Sequence, residues 1–142
     1  DGSVSYDPEN HEKMTHLRAE KINGIAKSYD PIAVQGEKEG DLLVIGWGGT
    51  YGAIFSATKA LQDEGFSVSS IHLRHLNPLP NDLETLLSSF RKLIVPELNL
   101  GQLSTILKAK YVRDIISFNK LQGKPFKVVE LREEFVKHLS SN

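Results

Sequence analysis

Two turns hold most of the residues in this 142-residue sequence that have the type and spacing for chemistry. The first, GWGGTYG at residues 46–52, follows the unbroken apolar run LLVI at 42–45. Four apolar residues without alternation suit a strand covered on both faces, and glycines at its exit leave backbone N–H groups open to an anion or a neighbouring chain. The second turn, ELNLGQ at residues 97–102, places a carboxylate directly after another apolar run and ahead of a helix start. In open α/β sheets that carboxyl edge is where ligands and partners meet the fold. Gly46, Gly48, Gly49, Thr50, Gly52, Glu97, Asn99, Gly101 and Gln102 are therefore the candidate loop or interface residues. For Glu97 a structural role, bonding loop amides or the Gln102 side chain, competes with a functional one.

The spacings weigh against several reaction classes. A dinucleotide fingerprint needs G-x-G-x-x-G, but after Gly46 and Gly48 the third position is Tyr51, and the region about 20 residues on reads Ile71-His72-Leu73-Arg74 with no acid for a ribose. A phosphate loop would need a lysine in the turn, and Lys59 stands well beyond it. His72 and His75 lie three apart in an extended stretch, which sends them to opposite faces, and His11 and His16 diverge on a helix, so no metal set forms. No serine sits in a G-x-S-x-G elbow. Between residues 103 and 127 the chain carries Lys108, Lys110, Arg113, Lys120, Lys124 and Lys127 against Asp114 alone, a candidate patch for an acidic partner. Its plainer reading is a solvated face.

These residues need a frame, and the rest of the chain describes one. Asp7-Pro8 is a helix-start signal, with Met14, Leu17, Ile22 and Ile25 at near-helical intervals, so a largely polar connector helix is expected over residues 8–27. An edge strand is expected at 32–34, the central strand at 42–45, a helix from Ala53 to a left-handed Gly65 cap, and a second strand at 68–73. The segment Asn77-Pro78-Leu79-Pro80 reads as a rigid loop. Capping-box spacings at Asn81/Glu84 and Asn99/Gln102 predict two further helices, the first facing inward with Leu83, Leu86, Leu87 and Phe90, the second with Leu103, Ile106, Leu107 and Tyr111. A third core strand at 93–95 is expected to end at Pro96; 115–118 and 126–129 are short strand candidates, and Leu131, Phe135 and Leu139 mark a closing helix.

Alternating strands and helices argue for a three-layer α/β/α sandwich with a mostly parallel sheet. We expect an N-terminal linker helix over 1–30 and one α/β domain over 31–142. A net charge of −1 gives no general attraction to nucleic acid or membrane, and the absence of cysteine removes disulfides, thiolate metal sites and iron–sulfur ligands. That composition is compatible with a cytoplasmic setting. The first residue, Asp1, is what a processed chain or a piece of a longer protein would show.

Three motifs in order, IGWGGTYGAI, HLRHLNPLP and PELNLGQL, closely resemble the alpha subunit of 2-oxoacid:ferredoxin oxidoreductases, in its domain related to the transketolase C-terminal domain. The opening YDPENHEKMTHLRAEKI resembles the helix that links this domain to a preceding pyrimidine-binding domain, most closely in 2-oxoglutarate members. The likeness runs from about Tyr6 to Phe126 and implies a five-stranded sheet with one antiparallel edge strand.

The resemblance also implies an enzyme that converts a 2-oxo acid and coenzyme A to acyl-coenzyme A and carbon dioxide. It would reduce ferredoxin through thiamine diphosphate, magnesium and iron–sulfur clusters, in a complex of further alpha-subunit domains and a beta subunit. This sequence departs from the family's metal motif, since Gly40-Asp41 is followed by Leu42 where Gly-Asp-Gly is needed. The expectation is therefore a non-catalytic structural or assembly domain that binds no cofactor alone, is inactive in isolation and self-associates. A nucleotide-binding α/β module and a stand-alone regulatory or scaffolding domain are the alternatives.

Overall fold

The computed structural model describes residues 2–140, which divide into two compact units, one of residues 2–31 with 75–81 and one of 32–74 with 82–140.

In the first unit, helix α1 spans Pro8–Gly24. It begins as the sequence requires: Asp7 accepts a hydrogen bond from the Asn10 amide at 3.1 Å, and Pro8 occupies the first turn, where no amide is needed. It stops at Gly24, short of residue 27, and the chain tightens into a 3-10 turn at Ile25–Ser28. None of its residues is buried, as its excess of charged side chains dictates. Tyr29 stacks on His75 with centroids 4.0 Å apart, which gives that histidine an aromatic partner. The Asn77–Pro78 peptide is cis.

The second unit is a five-stranded sheet in the order β1-β3-β2-β4-β5, built from β1 (Val34–Gln35), β2 (Gly40–Trp47), β3 (Val68–Leu73), β4 (Phe90–Glu97) and β5 (Ile116–Asn119). All neighbours are parallel except β1, which runs antiparallel to β3 at the edge. Helices α2 (Tyr51–Asp63) and α5 (Val128–Ser140) cover one face over Leu42, Val44 and Ile94. The alternation of side chains along a strand sends Leu43, Ile45, Leu93 and Val95 to the other face, all of them buried. Helix α4 (Gln102–Tyr111) lies there, with α3 (Leu83–Ser88) beside β4. The expected α/β sandwich, its mostly parallel sheet and its antiparallel edge are all present.

Several local expectations are corrected. The edge strand is Val34–Gln35, not 32–34, because Gln35 anchors it: its amide donates to the Phe55 carbonyl at 3.0 Å and its oxygen accepts from the buried Ser70 hydroxyl at 2.6 Å. No capping box starts α3; Asp82 stands at its N-cap, and its carboxylate accepts the Ile32 amide at 2.8 Å instead. Phe90 belongs to a strand, not to the α3 face.

Pro96 does not end β4 but lies inside it. Pairing with β2 stops at Val44–Ile94, so the amide that proline lacks falls beyond the last bond on that side, while β5 pairs on as far as Glu97–Asn119. Residues 126–129 are not a strand, for α5 begins at Val128 and Glu130 accepts the Lys127 amide at 2.9 Å. On α4 Ile106 is half exposed and Ser104 takes the buried place. Gly65, with φ of 88°, caps α2 as expected, and the Phe66 amide reaches back to the Leu61 carbonyl at 3.0 Å.

Candidate functional site

Parallel β2 and β4 end at the same edge of the sheet, so the turns that leave them meet. Trp47 and Glu97 share the face of Leu43, Ile45, Leu93 and Val95, and the Trp47 indole N–H donates to Glu97 Oε1 at 3.3 Å. Glu97 is fully buried. The same Oε1 accepts the Leu103 amide at 2.9 Å, and Oε2 accepts the Ser104 amide at 3.0 Å. Both oxygens thus meet amides left without partners at the start of α4, where the helix dipole also favours negative charge.

Half of the capping box expected from Asn99 and Gln102 forms: Asn99 Oδ1 accepts the Gln102 amide at 3.1 Å, but it also accepts the Gly101 amide at 2.7 Å, and Gly101 rather than Asn99 stands at the N-cap of α4. Gly101 follows with φ of 91°, and a Cβ there would come within 2.7 Å of Ser117 Oγ and 3.0 Å of Ser104 Oγ. Those two hydroxyls are hydrogen-bonded to each other at 3.0 Å, tying α4 to β5.

The glycines of the first turn differ in what holds them. A Cβ on Gly46 would strike Ile54 Cδ1 at 2.8 Å and approach His72 Nδ1 at 3.3 Å, so close packing requires that glycine. Gly48 sits at φ of 57°. Thr50 is buried and clasps Trp47 from both sides, accepting its amide at 3.2 Å and donating to its carbonyl at 2.8 Å. Gly49 and Gly52 have neither a positive φ nor any heavy atom within 4 Å of a Cβ. Packing of turn against helix, the plain account of all these glycines, explains Gly46 alone.

His72 lies beneath the Tyr51 ring, centroids 5.1 Å apart and nearly perpendicular. Its buried Nδ1 has no hydrogen-bond partner among the described residues. Burial, and then the nearby Arg74 cation, hold its pKa below the usual histidine range. Among the described residues no group of acidic or histidine side chains is arranged to hold a metal.

Two of the six cations of the basic run are engaged within the chain. Arg113 is half-buried and donates to the carbonyls of Leu87 at 3.1 Å and Phe90 at 3.3 Å. Lys120 bonds the Glu130 carboxylate at 2.6 Å and the Pro125 carbonyl at 3.1 Å. Lys108, Lys110, Lys124 and Lys127 are exposed, but the first two are two residues apart on α4 and so face different directions.

Sequence reasoning passed over Trp47, Ser104 and Ser117. A signal existed for the first: it is the sole tryptophan, at the end of a buried strand, in step with Leu43 and Ile45.

No protein-family model matches the chain. It is 42% identical over 132 residues to 2-oxoglutarate oxidoreductase subunit KorA of Mycobacterium tuberculosis, a match covering 92% of this chain and 20% of that protein. It superposes with a TM-score of 0.92 and 32% identity on a chain of the 2-oxoglutarate:ferredoxin oxidoreductase from Magnetococcus marinus, solved with 2-oxoglutarate, coenzyme A and succinyl-CoA bound, covering 98% of this chain and 25% of that one. A split-gene transketolase, solved as an inactive beta4 tetramer, shares the fold at a TM-score of 0.58 and 17% identity, over 79% of this chain and 43% of its own. The chain thus spans about a fifth of the mycobacterial subunit and a quarter of the Magnetococcus chain.

Proposed function

Since this chain belongs to the alpha-subunit family of the 2-oxoacid:ferredoxin oxidoreductases and matches only part of such a subunit, we propose that it is a transketolase C-terminal-like, non-catalytic assembly domain of a 2-oxoglutarate:ferredoxin oxidoreductase. The enzyme so formed would convert 2-oxoglutarate and coenzyme A to succinyl-coenzyme A and carbon dioxide while reducing ferredoxin.

The observation that carries this reading is the condition of Glu97. It is the one fully buried carboxylate at the sheet edge where an active group would stand, and both of its oxygens are held by the chain's own Leu103 and Ser104 amides and the Trp47 indole. A group so engaged fixes two loops rather than exchanging protons with a substrate.

The residues present do not fit thiamine diphosphate. Asp41, in the partial metal motif, lies at the amino-terminal end of β2, opposite the candidate edge, and is ion-paired with Arg91 at 3.0 Å. The sequence has no cysteine for an iron–sulfur cluster. Cofactor binding is therefore assigned to other domains of the alpha subunit and to a beta subunit. Among the described residues no helix is long and apolar enough to cross a membrane. Cut away from its neighbours, the domain would present uncovered apolar groups and self-associate at micromolar concentration.

Co-expression of the full-length alpha subunit with its beta subunit tests the activity: coenzyme A-dependent reduction of ferredoxin by 2-oxoglutarate is expected. Calorimetric titration of the 142-residue chain with magnesium and thiamine diphosphate, with NAD and with coenzyme A should give no binding heat. Saturable binding of NAD would favour the nucleotide module, and binding of thiamine diphosphate would overturn the non-catalytic assignment.

A further inference from the structure

The two loops at the carboxyl edge form a surface whose design the chain by itself does not account for. Gly49 and Gly52 are exposed, have no positive φ, and face open space where a Cβ would stand. Gly52 is the second residue of α2, where alanine would favour the helix and meet nothing. Glycine without a conformational or steric demand inside the fold serves where something from outside approaches the backbone closely.

Beside this bare backbone stand Leu98 and Leu100, 42% and 76% exposed, and both are displayed by a loop that has little freedom. Glu97 fixes its start, Asn99 closes its turn and Gly101 fits against Ser104 and Ser117 at its end. The loops adjoin through Trp47 and Glu97. Two leucines held outward on a fixed loop next to a surface without side chains have the form of an interface with knobs and a flat saddle.

Charge identifies the occupant. Neither 46–52 nor 97–102 contains lysine or arginine, and the single carboxylate of the two loops is buried and engaged, so no side-chain charge here pairs with a phosphate or another ion. An uncharged, apolar stretch of protein does complement it. Four-fifths of the matched mycobacterial subunit lies outside the region this chain aligns with, which supplies such a stretch within the same polypeptide.

We propose that Gly49, Gly52, Leu98 and Leu100 form a docking surface for an apolar segment of another domain of the same alpha subunit, the segment's backbone seated against the two glycines. This rests on the reading of the chain as one domain of a larger subunit.

The test compares the full-length subunit with the 142-residue chain, the latter at a concentration where sedimentation shows monomer. Amide exchange at residues 48–52 and 98–102 should slow at least tenfold in the full-length subunit. Gly52→Ala should raise the melting temperature of the short chain by roughly 2 °C through helix propensity, yet lower that of the full-length subunit. Leu100→Ser should leave the short chain unchanged and lower the full-length subunit's melting temperature. Equal exchange in both proteins, or Gly52→Ala acting with the same sign in both, would overturn the proposal. Protection that appears only as full-length subunits associate would assign the surface to a second copy, and protection of the short chain by inorganic phosphate would assign it to an anion; either also overturns it. Loss of the oxidoreductase activity reading would show separately, as absence of ferredoxin reduction by the unaltered subunit and its partner.

Discussion

The Trp47 indole nitrogen stands 3.3 Å from Glu97 Oε1, and this contact joins the ends of two parallel strands whose residues are fifty positions apart in sequence. Because the same carboxylate also holds two α4 amides, its removal leaves three donors without their acceptor. Glu97→Ala is expected to destabilise the chain by about 3 kcal/mol, and Glu97→Gln, which keeps one acceptor oxygen, by about 1–2 kcal/mol. Chemical denaturation followed by the fluorescence of Trp47, the only tryptophan, measures both. Equal and small effects would mean the amides find water instead.

Gly101 is tested against a glycine of similar conformation without neighbours. Gly101 has φ of 91° and the Ser117 and Ser104 hydroxyls in the way of a Cβ, whereas Gly123, at 65°, faces open space. Gly123→Ala should cost about 1 kcal/mol for the left-handed backbone alone. Gly101→Ala should cost clearly more, since the hydroxyl pair linking α4 to β5 must also move. Thermal unfolding of the two variants gives the difference directly.

Val112 follows α4 at φ of 50° and ψ of 46°, a left-handed cap that a β-branched residue adopts under strain. Its side chain is 88% exposed, so little packing is lost with it. Val112→Gly should therefore stabilise the chain by about 1 kcal/mol, read as a higher denaturation midpoint with an unchanged slope.

His72 should give stability a pH dependence. Burial and Arg74 lower its pKa in the folded state, so the unfolded chain takes up a proton before the folded one does. Stability contributed by keeping the ring neutral is complete above the ordinary histidine range and is lost as pH falls from about 6.5 toward the depressed folded value. His72→Asn should flatten the stability profile in that window, as followed by denaturation at a series of pH values.

The basic run separates into two classes. Lys108→Glu with Lys110→Glu leaves the fold intact and, if these lysines steer an acidic electron acceptor, slows ferredoxin reduction by the full enzyme at low salt. The effect should fade as ionic strength shortens the reach of surface charge to about 8 Å. Arg113→Glu should instead lower stability, because its guanidinium holds the Leu87 and Phe90 carbonyls. Salt-independent rates for the lysine pair would leave those residues as ordinary solvated charges.

Features that depend on neighbours along the chain can be read from the residues alone. Asp7-Pro8 starts α1, the unbroken run before Gly46 marks a doubly covered strand, Gly65 with Phe66 ends α2, and the alternation of these pieces requires a parallel sheet with helices on both faces. The two turns are legible as the exits of buried strands because strand ends and helix starts can be read locally. Features that join groups far apart in the chain are set by the fold. Asn99 takes the Gln102 amide as its spacing suggests, but the next two amides of α4 go to Glu97, whose third donor, Trp47, arrives from another strand. Pro96 ends a strand by local rules, yet it is tolerated where the neighbouring ladder has already stopped. Asp82 serves Ile32 rather than its own helix. Of the six cations crowded in sequence, Arg113 and Lys120 are drawn to a carbonyl pair and a carboxylate. In each case a buried polar group must find a partner, and the fold alone determines which partner is near enough to satisfy it.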